Sequence, residues 1–151
     1  TISVYLPRFA GVAEGLIAEP VDLRPFGGHE TVLVVEDQDG VRELVRAWLE
    51  GLGYAVVVAK DGVDALEVVD RLRRPVDLVL TDVVMPRMSG RETYERLLAR
   101  WPQLRVVYMS GYTSDVIARQ GVLEPGVRLL EKPLTQASLA RMVRETLDAP
   151  R

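Results

Sequence analysis

The chain has 151 residues, 48% of them apolar and 27% charged, with a formal net charge of −3. That is enough for one domain with an extension and a real core, while the acidic balance (pI near 5.3) argues against nucleic-acid binding, which needs clustered Lys and Arg. Without cysteine neither disulfides nor thiolate metal sites can form, which suits a cytoplasmic location, and no apolar run approaches the roughly 20 residues of a membrane-spanning helix.

The amino end shows no secretion-signal pattern, so no membrane contact is expected of this chain. Thr1-Ile2-Ser3-Val4-Tyr5-Leu6 alternates, with Ile2, Val4 and Leu6 on one face, and Pro7 ends it. It reads as a strand with no hairpin partner nearby. From Arg8 to His29 the composition turns to Gly, Ala, Glu and Pro, the signature of a linker. His29, the only histidine, reads as a solvated linker residue. Residues 1–30 are therefore an extension, and 31–151 form the domain.

From Thr31 the chain alternates strand and helix. Thr31 to Val35 is a β-branched run, followed by Val41, Leu44, Val45, Trp48, Leu49 and Leu52 at helical spacing, with Gly51 and Gly53 closing the helix. Tyr54 to Ala59 is the second strand, and Val63, Leu66, Val69 and Leu72 mark the next helix. Val76 to Asp82 is an apolar run ending in a carboxylate and the Met85-Pro86 turn, the pattern of a strand buried on both faces. Ser89 and Glu92 have capping-box spacing, and Tyr94, Leu97, Leu98 and Trp101 stripe the helix that follows. Leu104 to Met109 is the fourth strand, a short helix is expected around Ser114 to Arg119, and Val127 to Leu130 is the fifth strand. Thr135 caps a last helix carrying Leu139, Met142, Val143 and Leu147. Such alternation implies right-handed crossovers and a parallel sheet, hence a three-layer, doubly wound α/β domain.

A parallel sheet gathers the carboxyl ends of its strands along one edge, where open α/β sheets bind ligands. Those ends carry Glu36 and Asp37, Asp82, Ser110 and Gly111, and Glu131-Lys132-Pro133. Three carboxylates within about 5 Å repel by several kcal/mol per pair, so a cation must offset them. One lysine supplies a single charge; Mg²⁺, with oxygen ligands and room for phosphate oxygens, supplies two. With a metal present, Asp82 could attack phosphorus and become an acyl phosphate, with Lys132 and Ser110 contacting the phosphoryl oxygens. Each residue alone has a plainer alternative. Asp82 could bond a nearby backbone N–H, Glu36 and Asp37 could cap the first helix, and Ser110 and Lys132 could be ordinary strand-end residues.

Taken together, Val32-Leu33-Val34-Val35-Glu36-Asp37, Leu80-Thr81-Asp82-Val83-Val84-Met85-Pro86, Tyr108-Met109-Ser110-Gly111-Tyr112 and Leu130-Glu131-Lys132-Pro133 resemble a response-regulator receiver domain. The resemblance implies a flavodoxin-like (βα)5 fold with a five-stranded parallel sheet of order 2-1-3-4-5. It implies Asp82 as phosphoacceptor from phosphohistidine, Mg²⁺ held by Glu36, Asp37, Asp82 and the Val84 backbone carbonyl, Ser110 as switch hydroxyl, and Lys132 as the phosphoryl-binding lysine. It also implies a cis Lys132–Pro133 bond. Partners would be a histidine kinase or histidine phosphotransfer domain, with self-association through the face built from the helix near Ser114, the fifth strand and the last helix. Three positions depart from or qualify the pattern. Leu129 stands where the family often has Tyr or Phe, which puts an aromatic switch there in doubt. Val84 and Tyr112 are expected to shield an acyl phosphate from water.

The opening Thr1 to Arg8 resembles the last strand of a histidine-kinase ATP-binding domain, which suggests the receiver of a hybrid histidine kinase; a chance strand or the receiver of a stand-alone regulator are the alternatives. No kinase catalytic region is present, so ATP binding is not expected. An Mg²⁺-dependent aspartyl phosphatase would want an acid at position 84, which is Val. A nucleotide-binding flavodoxin-like module would want a phosphate loop where Glu36-Asp37-Gln38-Asp39 stands.

Overall fold

The structure, a computed structural model, describes residues 20–111 and 127–150. The strand expected at Thr1 to Leu6 and the helix expected near Ser114 lie outside them. Five parallel strands are found: β1 (Thr31–Val35), β2 (Ala55–Ala59), β3 (Leu78–Asp82), β4 (Arg105–Ser110) and β5 (Arg128–Glu131). They form one sheet of order β2-β1-β3-β4-β5, the expected order. The helices described are α1 (Asp39–Gly51), α2 (Gly62–Arg71), α3 (Gly90–Arg100) and α4 (Gln136–Asp148).

Alternation along the strands sorts the core into two halves. Val32 and Val34 of β1, with Leu78, Leu80, Val107 and Met109, meet α1 and α4 through Val45, Leu49, Leu139 and Val143. Leu33 and Val35, with Val79, meet α2 and α3 through Ala65, Val69 and Leu97. Central strands buried on both faces need apolar residues at every position, and Val32 to Val35 are wholly inaccessible to solvent. The caps follow the sequence in part. Thr135 accepts from Ser138 N–H in a reciprocal capping box. Ser89 accepts from Glu92 N–H at 3.2 Å, while the Glu92 carboxylate turns to Arg96 at 2.6 Å.

The residues leading into β1 pack against the domain. A 3-10 turn, Arg24–Phe26, precedes Gly27 and Gly28. Tyr54 Oη donates to Phe26 O at 2.8 Å, and Gly28 N–H donates to Leu52 O at 3.1 Å. Gly53, at φ 95°, lets the two backbones meet, since a Cβ there would lie 2.7 Å from Gly28 O. Arg144 of α4 closes the contact, with Nη2 donating to Glu30 Oε1 at 2.7 Å and Nη1 to Glu30 Oε2 at 3.2 Å. That guanidinium holds the Glu30 carboxyl down to about 2.

A carboxylate lowered by folding adds stability above its unfolded range and loses it as pH falls through the folded value. The Glu30→Gln variant should therefore be less stable than wild type by about 2 kcal/mol at pH 7, solvent screening included. The gap should narrow below about pH 5 and close near pH 2. Urea midpoints of both proteins between pH 7 and 3 check this; a constant gap would mean the pair contributes by shape alone.

Candidate functional site

Five chain segments converge on the carboxyl edge of the sheet. β1 and β3 lie side by side with Val35 opposite Thr81, so the next residues, Glu36 and Asp82, share one end. Glu36 N–H donates to Ala59 O at 3.1 Å, which continues the ladder one step past β1. Ser110 ends β4 opposite Glu131, and its carbonyl accepts from Lys132 N–H at 2.8 Å. The Lys132–Pro133 bond is cis, as expected.

Carboxylate oxygens of Glu36, Asp37 and Asp82 all lie within 4.8 Å of one another. Lys132 Nζ donates to Glu36 Oε2 at 2.9 Å and to Asp82 Oδ2 at 3.0 Å, bridging the two inner acids. Glu36 is fully buried and Asp37 is exposed, so the cluster grades from dry to wet. Burial pushes the Glu36 carboxyl up, against the opposing pull of Lys132. Asp82 is likewise raised by burial, with Lys132 again opposing and Asp37 adding repulsion. For Lys132, burial disfavours the charge, but the bonds to Glu36 and Asp82 outweigh it and hold the ammonium above its ordinary range.

Helix capping does not account for the acids. The N-cap of α1 is Gln38, and Glu36 Oε1 instead accepts from Gln38 N–H at 3.1 Å within its own turn. Ser110 is buried and adjoins Lys132 through that backbone bond. Val84 is 44% exposed, open to solvent beside the site, and Tyr112 lies outside the described residues. Leu129, in place of an aromatic ring, is half-buried against Val83 and Tyr108. Glu131, beside Lys132 in sequence, is exposed.

Arg42 was not singled out from the sequence. Its guanidinium donates to the Glu36 carbonyl at 2.8 Å and pairs with Asp39, bracing the loop that carries Glu36 and Asp37. The available signal was an Asp39–Arg42 pair one turn apart at a helix start, a spacing too common to stand out. A cavity of about 440 Å³ at the opposite edge is lined by Val76, Trp101, Leu104 and Arg105 and by none of these groups.

The family model for the response regulator receiver domain matches residues 32–144. This chain belongs to the response regulator receiver domain family. Sensor kinase CckA of Brucella abortus (strain 2308) is 36% identical to this receiver over 98% of its length, and the chain spans 16% of CckA. The regulator of RpoS of Escherichia coli (strain K12) is 35% identical over 78% of the chain, which spans 34% of that protein. Among solved structures, the receiver domain of the hybrid histidine kinase CckA superposes with a TM-score of 0.66 at 31% identity, covering 78% of this chain and 99% of that one. The receiver thus serves two-component signalling.

The receiver's acid cluster suits a hard divalent cation. Glu36 is sequestered from water and Asp82 is part-buried, and at an effective dielectric near 20 each like-charge pair about 5 Å apart repels by roughly 3 kcal/mol. The ammonium at Lys132 offsets one of three charges, and Arg42 is spent on a carbonyl and on Asp39. Oxygen donors grouped this closely, with one exposed, match the ligand chemistry of such a cation. Among the described residues, no helix is long and apolar enough to cross a membrane.

Proposed function

We propose that this receiver accepts a phosphoryl group from phosphohistidine onto Asp82, as the receiver module of a hybrid histidine kinase. The observation that carries this is the Lys132 ammonium bridging Glu36 and Asp82 inside a cluster whose third carboxylate faces solvent. An Asp82 oxygen attacks phosphorus, the P–N bond to the donor imidazole breaks, and the freed imidazole takes up a proton, leaving an acyl phosphate. Glu36, Asp37, Asp82 and the Val84 carbonyl would hold Mg²⁺, which when bound supplies two charges against the acids and the phosphoryl oxygens. Lys132 neutralises Asp82 beforehand and remains beside the phosphoryl group afterwards. Ser110 is assigned the hydroxyl that donates to a phosphoryl oxygen.

The likeness to CckA over 98% of the chain, the residues before β1 included, and to the receiver of the hybrid histidine kinase CckA supports the hybrid-kinase context, and on that reading we assign the chain to the cytoplasm. The donor is then a histidine kinase or a histidine phosphotransfer domain. The added charge would be read on the face that includes β5 and α4, where a partner or a second copy docks.

Incubated with acetyl phosphate and Mg²⁺, the wild-type chain should gain a single phosphoryl group by intact mass, and Asp82→Asn should gain none. Chelation with EDTA should suppress the wild-type product. Equal labelling of the two proteins, or no labelling of either, would overturn the assignment.

A further inference from the structure

The loop between β3 and α3, residues 83–89, contains a backbone conformation at odds with its side chain. Arg87 has φ 69°, a left-handed geometry that glycine tolerates and a Cβ disfavours. Such a residue persists only where its surroundings hold it, and it points towards function. Here the holding contacts are visible. Arg87 Nη2 pairs with Asp61 Oδ2. Asp61 is buried at the N-cap of α2, and its other oxygen accepts from Asp64 N–H at 2.9 Å. One carboxylate therefore serves both a helix start and a distant loop.

The same loop is secured at its other points. Met88 is buried and abuts the first residue of α2, where a Cβ on Gly62 would lie 2.9 Å from Met88 Sδ. Val83 N–H donates to Met109 O at 3.0 Å, and Gly90 N–H donates to Val83 O at 3.1 Å. Between these anchors run Val84, Met85 and Pro86.

We propose that Arg87 is a positioning residue for the cation site: its pairing with Asp61 draws the β3–α3 loop onto α2 and fixes the backbone at Val84. The inference rests on the metal-binding part of the proposed function. Arg87 acts through the loop rather than by touching the reacting groups.

The direction of the effect separates positioning from simple charge. A guanidinium near a cation site repels the cation, so deleting it for its charge alone would tighten Mg²⁺ binding. Loss of a strap loosens a preorganised ligand and weakens binding instead. Arg87→Gly isolates the side chain, because glycine adopts the left-handed geometry freely.

Calorimetric titration of Mg²⁺ into the full chain should show Arg87→Gly binding about 3- to 10-fold more weakly than wild type, while the metal-free protein keeps a cooperative unfolding transition, its midpoint set by relief of the left-handed backbone against loss of the Asp61 counter-charge. Asp61→Asn, which keeps an oxygen for Asp64 N–H, should weaken binding in the same direction. The double variant should be no weaker than Arg87→Gly, since both changes remove one contact. Wild-type or tighter affinity in Arg87→Gly overturns the proposal, as does wild-type protein that binds no Mg²⁺. Weaker binding accompanied by loss of the cooperative transition, with Asp61→Asn unaffected, overturns it too, because it reports loss of fold. Should acetyl phosphate fail to label Asp82 while the Mg²⁺ affinities shift as stated, phosphoryl acceptance falls and the role of Arg87 stands.

Discussion

Lys132→Ala should lower the unfolding free energy at pH 7 by about 2–4 kcal/mol, a larger loss than truncating the exposed Lys60. The ammonium contacts Glu36 at 2.9 Å and Asp82 at 3.0 Å, and no side-chain surface of Glu36 reaches water. Removing one partner of a buried pair leaves the other charge desolvated, which costs more than the pair itself contributed. The upper figure for such losses is trimmed here because the Lys132 side chain keeps 21% of its surface exposed. Burial already raises the Glu36 and Asp82 carboxyls, and the variant would raise them further. Acids raised by folding cost stability as pH climbs above their unfolded range. The deficit should accordingly be largest at neutral pH and shrink towards pH 4–5. Asp82→Asn, which removes a like charge instead of the counter-charge, should leave stability unchanged or raise it. Urea unfolding of the three proteins at pH 7 and pH 5 checks both directions. A Lys132→Ala loss under about 1 kcal/mol would place the bridge with ordinary surface pairs. Saturating Mg²⁺ should recover part of the loss, because a ligand of the folded state stabilises it by mass action.

The parts of this molecule that were legible in its sequence are those written in local pattern. Strand–helix alternation gave the layers, and the polar residue ending each apolar run gave the pocket, because parallel strands must end along one edge. Glu36, Asp37, Asp82, Ser110 and Lys132 were named this way, and the structure gathers the three carboxylates with the ammonium and sets Ser110 next to Lys132. The missing parts are pairings across long stretches of chain. Asp61 and Arg87 are 26 residues apart, and Glu30 and Arg144 are 114 apart; no periodicity connects them. Composition also misleads where glycine is used for close approach. Gly27 and Gly28 have the look of slack chain, yet Gly28 N–H bonds Leu52 O. Strand ends shifted for identifiable reasons. β2 starts at Ala55 rather than Tyr54 because Tyr54 N–H turns back to Leu49 O at 3.2 Å, finishing α1. β4 runs on to Ser110 because β5 supplies a partner there.

Gly90→Ala should be the second severe change, although alanine normally favours a helix over glycine by up to about 1 kcal/mol. Gly90 is the first residue of α3 and is buried. A Cβ built there lies 2.1 Å from Asp82 O, 3.0 Å from Thr81 Oγ1 and 3.1 Å from Asp82 C. The obstacle is backbone, not the tip of a flexible side chain, and that carbonyl already accepts from Thr81 Oγ1 at 3.1 Å. Relief requires moving either the start of α3 or the end of β3. Overpacking of this kind costs about 1–3 kcal/mol, and contact with a fixed peptide puts the expected value near the upper limit, enough to exceed the propensity gain. The functional loss should be larger than the stability loss, since any shift of the Asp82 peptide displaces the carboxylate from Lys132. Misplacing a reacting group by about 1 Å can cost about 100-fold in rate, so acetyl phosphate labelling of Asp82 should slow by tenfold or more while the protein remains folded. Gly40→Ala supplies the control. Gly40 lies in the first turn of α1 with nothing within 4 Å of the added methyl, so there the propensity term acts alone and stability should rise by about 0.5–1 kcal/mol. If the two alanines shift the thermal midpoint alike, the close approach of α3 to the Asp82 carbonyl is not what sets the position of the acceptor.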